Sequence, residues 1–207
     1  MLKILGRVTS INVRKVLWTA DELGLSYERE DWGLPLRDPH EPEFLALNPN
    51  AQVPVIIDDG FTLWESNPIV RYLAEQRPEP ALIPKDGRTR ALMEQWLGWQ
   101  STELSTVWLY AFLALGRPTP GYDDQERIAA SIGRWTMKMQ ILETHLAARG
   151  PYLMGEQFTL ADVAIGLSIH RWFCTRFDHP DLPAIATYYA LLKTRPASLP
   201  YLGMATP

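Results

Sequence analysis

The spacing of apolar residues changes character near residue 80, and that switch constrains the fold more than any other feature. Before it, short apolar runs alternate with helical spacing; after it, the spacing is helical throughout. Leu2 to Gly6 is a short apolar run of the kind that forms a buried strand. Val13, Val16, Leu17, Ala20 and Leu23 recur at i, i+3, i+4, i+7 and i+10, one face of a helix, with Gly24 placed as its C-terminal cap. Ser26 to Asp31 suits a second strand. Pro54 to Ile57, the turn Asp58-Asp59-Gly60 and Phe61 to Trp64 read as a hairpin. Asn67 to Gln76 reads as a helix with Pro68 in its first turn. The order β-α-β, an irregular piece, then β-β-α predicts an α/β layered domain over residues 1–80.

Residues 81–87, Ala-Leu-Ile-Pro-Lys-Asp-Gly, combine Pro, Gly and charge in a short span and read as a linker. Residues 88–207 read as helices. Leu92, Trp96 and Trp99 begin one; Leu104, Val107, Trp108, Ala111 and Leu115 extend it or follow a kink. Gly116 to Gly121 is a Pro/Gly break. Ile128, Ile132, Trp135, Met139, Leu142 and Leu146 step by four and three, which marks an amphipathic helix. Further helices are expected from Thr159 and from Leu182 to Thr194. Phe158-Thr159-Leu160-Ala161-Asp162-Val163 places Thr at the N-cap and Asp at N3, with Phe158 and Val163 at the positions of a hydrophobic staple.

Charge and composition narrow the function. The formal net charge is −4, residues 1–80 carry a net −5 and the rest a net +1. No basic stripe is present, which argues against a nucleic-acid or anionic-membrane partner. Cys174 is the single cysteine, so no disulfide can form within the chain, as suits a reducing compartment. The apolar stretch at the N-terminus is too short for a signal peptide. The run Val107 to Leu115 falls far short of the roughly 20 residues that span a bilayer. A cytoplasmic protein is expected. The histidines, at 40, 145, 170 and 179, show no metal-ligand spacing.

Several polar residues have two physical readings. Ser10 and Asn12 are both good N-caps for the helix that follows. A hydroxyl or amide at a helix N-terminus also stabilises a bound anion. Pro54 can begin an edge strand. Ser66 can cap the helix after it, which frees main-chain N–H groups for a carboxylate, while Glu65 can hold an ammonium.

Four segments in this order resemble the cytosolic glutathione transferase family: Ser10-Ile-Asn12, Asn48-Pro-Asn-Ala-Gln52-Val53-Pro54, Trp64-Glu65-Ser66-Asn67 and the Phe158–Asp162 cap. Gly6 to Trp18 looks most like a bacterial, theta-related subgroup. The resemblance covers nearly the whole chain. It implies a thioredoxin-like N-terminal domain that binds glutathione, followed by an all-α domain that contributes the second-substrate pocket. The turn that carries Cys-x-x-Cys in related redox proteins reads Ser10-Ile-Asn12-Val here, which argues against disulfide exchange.

By that resemblance Ser10, with Asn12 as its rival, would donate to the thiolate of bound glutathione. Val53-Pro54 would be a cis junction presenting the Val53 main chain to the peptide, and Gln52 would add a side-chain contact. Glu65 and Ser66 would hold the γ-glutamyl end, and His40 the glycyl carboxylate or simply an exposed turn. Trp108, Arg117 and Trp172 would border an apolar second-substrate pocket, although aromatics at helical spacing equally form plain core. Glu103 would reach the glutathione of a partner subunit in a homodimer. The implied function is transfer of the glutathione thiolate to an electrophile, by addition or by a substitution such as dehalogenation, with detoxification as its role. The alternatives are a non-catalytic glutathione- or apolar-ligand-binding scaffold and a glutathione-dependent isomerase. The isomerase pattern of Ser-Ser with a downstream Arg is not matched by Ser10-Ile-Asn12-Val-Arg14. Glutathione is the co-substrate, and no metal is expected.

Overall fold

The computed structural model describes residues 1–77 and 82–206. The chain divides into two compact units, Met1–Ile83 and Pro84–Pro207. The switch of spacing at residue 80, and Ala81 at the start of the expected linker, lie outside the described residues.

The first unit runs β1 (Leu2–Leu5), α1 (Ile11–Glu22), β2 (Tyr27–Glu30), α2 (Pro42–Leu45), β3 (Val55–Asp58), β4 (Phe61–Trp64) and α3 (Ser66–Glu75). The four strands form one mixed sheet in the order β2-β1-β3-β4. β1 runs parallel to β2 and antiparallel to β3, and β3 runs antiparallel to β4. Register places Leu5 opposite Val55 and Ile4 opposite Ile56. Side chains alternate across a pleated strand, so the two pairs serve opposite faces. Leu5 and Val55 join Trp32 and Phe44 in one buried cluster. Ile4 and Ile56 are buried on the face that carries α1 and α3, which pack against each other.

Local chemistry explains the boundaries. Gly24 adopts φ +62, its N–H reaches the Asp21 carbonyl, and the Leu25 N–H reaches the Ala20 carbonyl; these paired bonds are a Schellman stop. Asp59 and Gly60 both have positive φ, the two-residue turn that matches the twist of a hairpin. The irregular stretch holds the four-residue α2, begun by Pro42, which is too short to leave a periodic signal.

The second unit is helical. It contains α4 (Gly87–Trp99), α5 (Ser105–Ala111), α6 (Gln125–Arg149), α7 (Leu160–Cys174), α8 (Pro183–Leu192) and α9 (Leu199–Leu202). The stretch expected to extend the first helix or to follow a kink contains two π-helical turns, Gln100–Leu104 and Phe112–Gly116. At the first, the Ser101 and Thr102 hydroxyls donate back to the Leu97 and Gly98 carbonyls. Ser105 donates to the Gln100 carbonyl five residues earlier at 2.8 Å. Side chains that compete for helix carbonyls in this way loosen the regular ladder.

Asp124 caps α6 through the Arg127 N–H, and Asp86 caps α4 through the Thr89 N–H. α7 is the central helix, buried from Leu160 to Trp172. Its expected cap is present: Asp162 accepts from the Thr159 N–H at 2.7 Å and from the Thr159 hydroxyl at 2.9 Å. Among the described residues, no helix is long and apolar enough to cross a membrane.

Candidate functional site

In the first unit, the ends of α1 and α3 and the loop before β3 meet around a small polar cavity of about 140 Å³. Asn12, Asn48, Gln52, Val53, Pro54, Glu65 and Ser66 line it. Six of the residues expected at the site are therefore brought together: Asn12, Gln52, Val53, Pro54, Glu65 and Ser66.

α1 begins at Ile11, two residues before the expected start at Val13. Ser10 is its N-cap, but the Ser10 side chain makes no capping bond. The Arg14 N–H bonds the Ser10 carbonyl at 2.9 Å. Arg14, buried, holds the preceding loop by donating Nε to the Val8 carbonyl at 2.7 Å. Asn12 stands in the first turn, exposed, on the side that faces the cavity. Ser10 is half-buried and does not line the cavity.

The loop before β3 is shaped by Asn48. Its amide donates to the Gln52 carbonyl at 2.8 Å, and its Oδ1 accepts from the Asn50 N–H at 3.0 Å. The Val53–Pro54 peptide is cis, as is Leu34–Pro35. The Val53 N–H and C=O take no main-chain partner among the described residues, so this stretch of backbone remains available to an extended ligand beside β3.

At the start of α3 the cap position belongs to Glu65 rather than Ser66. Glu65 holds φ +74, a conformation rare for a residue with a side chain. Its carbonyl accepts from the Ile69 N–H at 3.0 Å. The first N–H groups of α3, which have no carbonyl partner within the helix, therefore open at the cavity beside an exposed carboxylate. The Ser66 hydroxyl donates to Asn12 Oδ1 at 3.4 Å. Behind it, Lys15 Nζ donates to Ser66 Oγ at 3.2 Å and to Asn67 Oδ1 at 2.9 Å. Burial pushes the Lys15 ammonium down to about 7, Arg71 adds to the shift, and Glu65 opposes it.

His40 does not line this cavity. It is exposed, and its main-chain N–H and Nδ1 both lie 2.9 Å from Asp38 Oδ1. In the second unit, Trp108 and Trp172 sit in the interior and each packs on Trp135, with ring centroids 5.6 and 5.0 Å from it. Arg117 is exposed at the end of the π-helical turn, its guanidinium 5.3 Å from the Phe112 ring. Glu103 pairs with Lys138 at 2.7 Å. Two grooves of about 490 and 430 Å³ in this unit are lined by other residues, Leu146 and Tyr188 in one, Trp96 and His145 in the other. Among the described residues no cluster of His, Cys, Asp or Glu is arranged to hold a metal.

Two residues with evident roles were not singled out from sequence. Asn48 stood inside a recognised motif, so its loop-closing part had a signal. Lys15 had none, because a lysine on a surface-type helix ordinarily points to solvent.

Residues 9–76 match the family model described as glutathione S-transferase, N-terminal domain. The chain is 36% identical over 199 residues to the glutathione S-transferase GstB of Escherichia coli K12, covering 95% of each chain. It is 30% identical to glutathione S-transferase D7 of Drosophila melanogaster, over 90% of this chain and 80% of that one. A crystal structure of the theta class glutathione S-transferase from Xanthomonas axonopodis pv. citri, with glutathione bound, superposes with a TM-score of 0.93 at 36% identity. That likeness covers 100% of this chain and 99% of the other.

Proposed function

This chain belongs to the glutathione transferase family, and on that premise we propose that the cavity between α1, α3 and the loop before β3 binds glutathione and ionises its thiol. The observation that carries the proposal is the convergence of Asn12, Gln52, Val53, Glu65 and Ser66 on one small polar cavity. A γ-glutamyl group carries a carboxylate and an ammonium. The N-terminus of α3 suits the first and the Glu65 carboxylate the second. The Val53 main chain pairs with the cysteinyl residue as an added strand would, and the Gln52 side chain adds a polar contact.

The thiol then lies at the N-terminus of α1. A free thiol has a pKa of about 8.5, and lowering it by about two units takes about 2.7 kcal/mol. A hydrogen bond to a charged group contributes about 1.5–3 kcal/mol, and a helix N-terminus about 0.3–1 kcal/mol. One good donor and the helix together suffice. Asn12 is that donor, since it lines the cavity and Ser10 does not. His40 stays outside the site, its ring held at Asp38.

The thiolate sulfur bonds to an electrophilic carbon of an apolar second substrate. The electron pair of the broken bond leaves with a halide, or in an addition moves onto the acceptor and is then protonated. The proton of the thiol goes to solvent. Two copies of the chain work together as a homodimer.

The test is the ultraviolet titration of the glutathione thiolate with and without saturating protein. A lowered thiol pKa on the protein supports the proposal. Absence of binding favours a scaffold, and binding without a shift removes the assigned chemistry.

A further inference from the structure

Lys15 sits in the middle of α1 yet is only 1% exposed. It lies on the side of the helix that meets the start of α3, and its ammonium reaches Ser66 Oγ and Asn67 Oδ1. An ammonium offers donors and no acceptor. Ser66 Oγ therefore accepts from Lys15, and its single proton is left for another acceptor. In this structure that acceptor is Asn12 Oδ1. The hydrogen bonds thus run one way, from Lys15 through Ser66 to Asn12.

We propose that Lys15 is a positioning residue of the glutathione site, its ammonium keeping the Ser66 hydroxyl a donor, to Asn12 Oδ1 in the free protein and to the carboxylate of the bound tripeptide. This rests on the glutathione site described above. A carboxylate entering at α3 takes the Ser66 proton from Asn12 Oδ1 and meets a hydroxyl that must donate. A neutral Lys15 amine would accept as well as donate. The Ser66 proton could then turn inward, and the order would be lost.

The charged groups around Lys15 support a switch in the neutral range. Arg71 on α3 disfavours the ammonium, and Glu65 at the start of α3 favours it, with burial the larger influence. Arg14, its neighbour on α1, is turned to the Val8 carbonyl. Lys3, the charged residue of β1, pairs with Glu28 and Glu30 on β2. Ligand affinity should therefore fall as pH rises through the neutral range.

The experiment measures binding of S-methylglutathione, whose blocked thiol cannot titrate, between about pH 6 and pH 8 by calorimetry. If only the protonated form binds, linkage predicts affinity up to about tenfold weaker at the upper pH. A His40→Gln background removes the one histidine of the first unit. Lys15→Met is expected to bind weakly with a flat profile, and Lys15→Arg, permanently charged, to keep the low-pH affinity across the range. Ser66→Ala should also flatten the profile, which provides a second route if Lys15→Met does not fold. A flat wild-type profile, or a wild-type profile retained in Lys15→Met or Ser66→Ala, overturns the role of Lys15 alone. No binding by the wild type at any pH overturns the glutathione site itself, and this role with it.

Discussion

The Asn48 amide spans its own loop and donates to the Gln52 carbonyl at 2.8 Å, immediately before the Val53 backbone that borders the cavity. Its other end accepts from Asn50 twice, from the main-chain N–H and from the side-chain amide, each at 3.0 Å. The residue is 2% exposed, so water cannot readily replace it. Asn48→Ala leaves these groups without their partner, at a cost of about 1–3 kcal/mol. Because the loop positions Gln52 and Val53, the KM for glutathione should rise about tenfold, or about 1.4 kcal/mol, with a smaller effect on kcat. Steady-state kinetics with denaturant unfolding checks both. A stability loss with KM unchanged would separate the loop from the site.

Asn12 and Ser10 stand two residues apart but differ in what they face. Asn12 lines the cavity, whereas Ser10 is the helix N-cap and makes no capping bond. Asn12→Ala should return the pKa of bound glutathione most of the way to about 8.5, its value in a free thiol. Ser10→Ala should shift it by less than about half a unit, or 0.7 kcal/mol. Thiolate absorbance across a pH series gives both values. A larger effect at Ser10 would reassign the donor to the helix cap.

Parts of this architecture were legible because their causes are local. Gly24 and the Asp59-Gly60 pair are read from the backbone conformations a stop and a tight hairpin demand, and the Thr159–Asp162 cap from two side chains three residues apart. The residues of the cavity were readable as caps and an edge strand, but their convergence depends on how α1 and α3 pack. The same packing hid Lys15. Arg14, Lys15 and Thr19 lie on what looks like a polar face, yet all three are buried. Trp108 and Trp172 had the spacing of core and of pocket alike. Their contacts with Trp135 assign them to the interior of the second unit.

Asp162 is the polar centre of that second unit. Besides Thr159 it accepts from the Leu153 N–H and the Tyr188 hydroxyl, each at 2.9 Å. One carboxylate thus ties the start of α7 to the loop before it and to α8. Asp162→Ala leaves buried donors from three segments unanswered, each costing about 1–3 kcal/mol. A loss of at least about 3 kcal/mol is expected, comparable to a large share of a domain's stability. Chemical denaturation followed by helix circular dichroism measures it. A loss under about 1 kcal/mol would mean that water or rearrangement satisfies these groups. Asp162→Asn, which keeps two acceptor lone pairs but adds donors, should fall between the two.

Lys15 also leaves a signature in stability, with a sign opposite to that of a surface ion pair. Its pKa falls from an ordinary 10.5 to about 7 on burial, so the folded state disfavours the charge. Below about pH 7 the lysine is protonated in both states, and folding bears the full penalty. Between about pH 7 and pH 10 the unfolded chain binds a proton that the folded chain has released. Stability then rises with pH, by up to about 1.4 kcal/mol per unit from this group. Lys15→Met removes both the penalty and the slope. The variant should therefore be more stable than the wild type near pH 6, and the difference should shrink steadily toward about pH 10. Paired urea unfolding across that range isolates the term, because every other titrating group is common to both proteins. A constant difference at all pH values would mean that Lys15 keeps its ordinary proton affinity in the fold. The stability gain at low pH, set beside the binding loss expected of the same variant, would show a residue held at a cost to folding for the direction it imposes on the Ser66 hydroxyl.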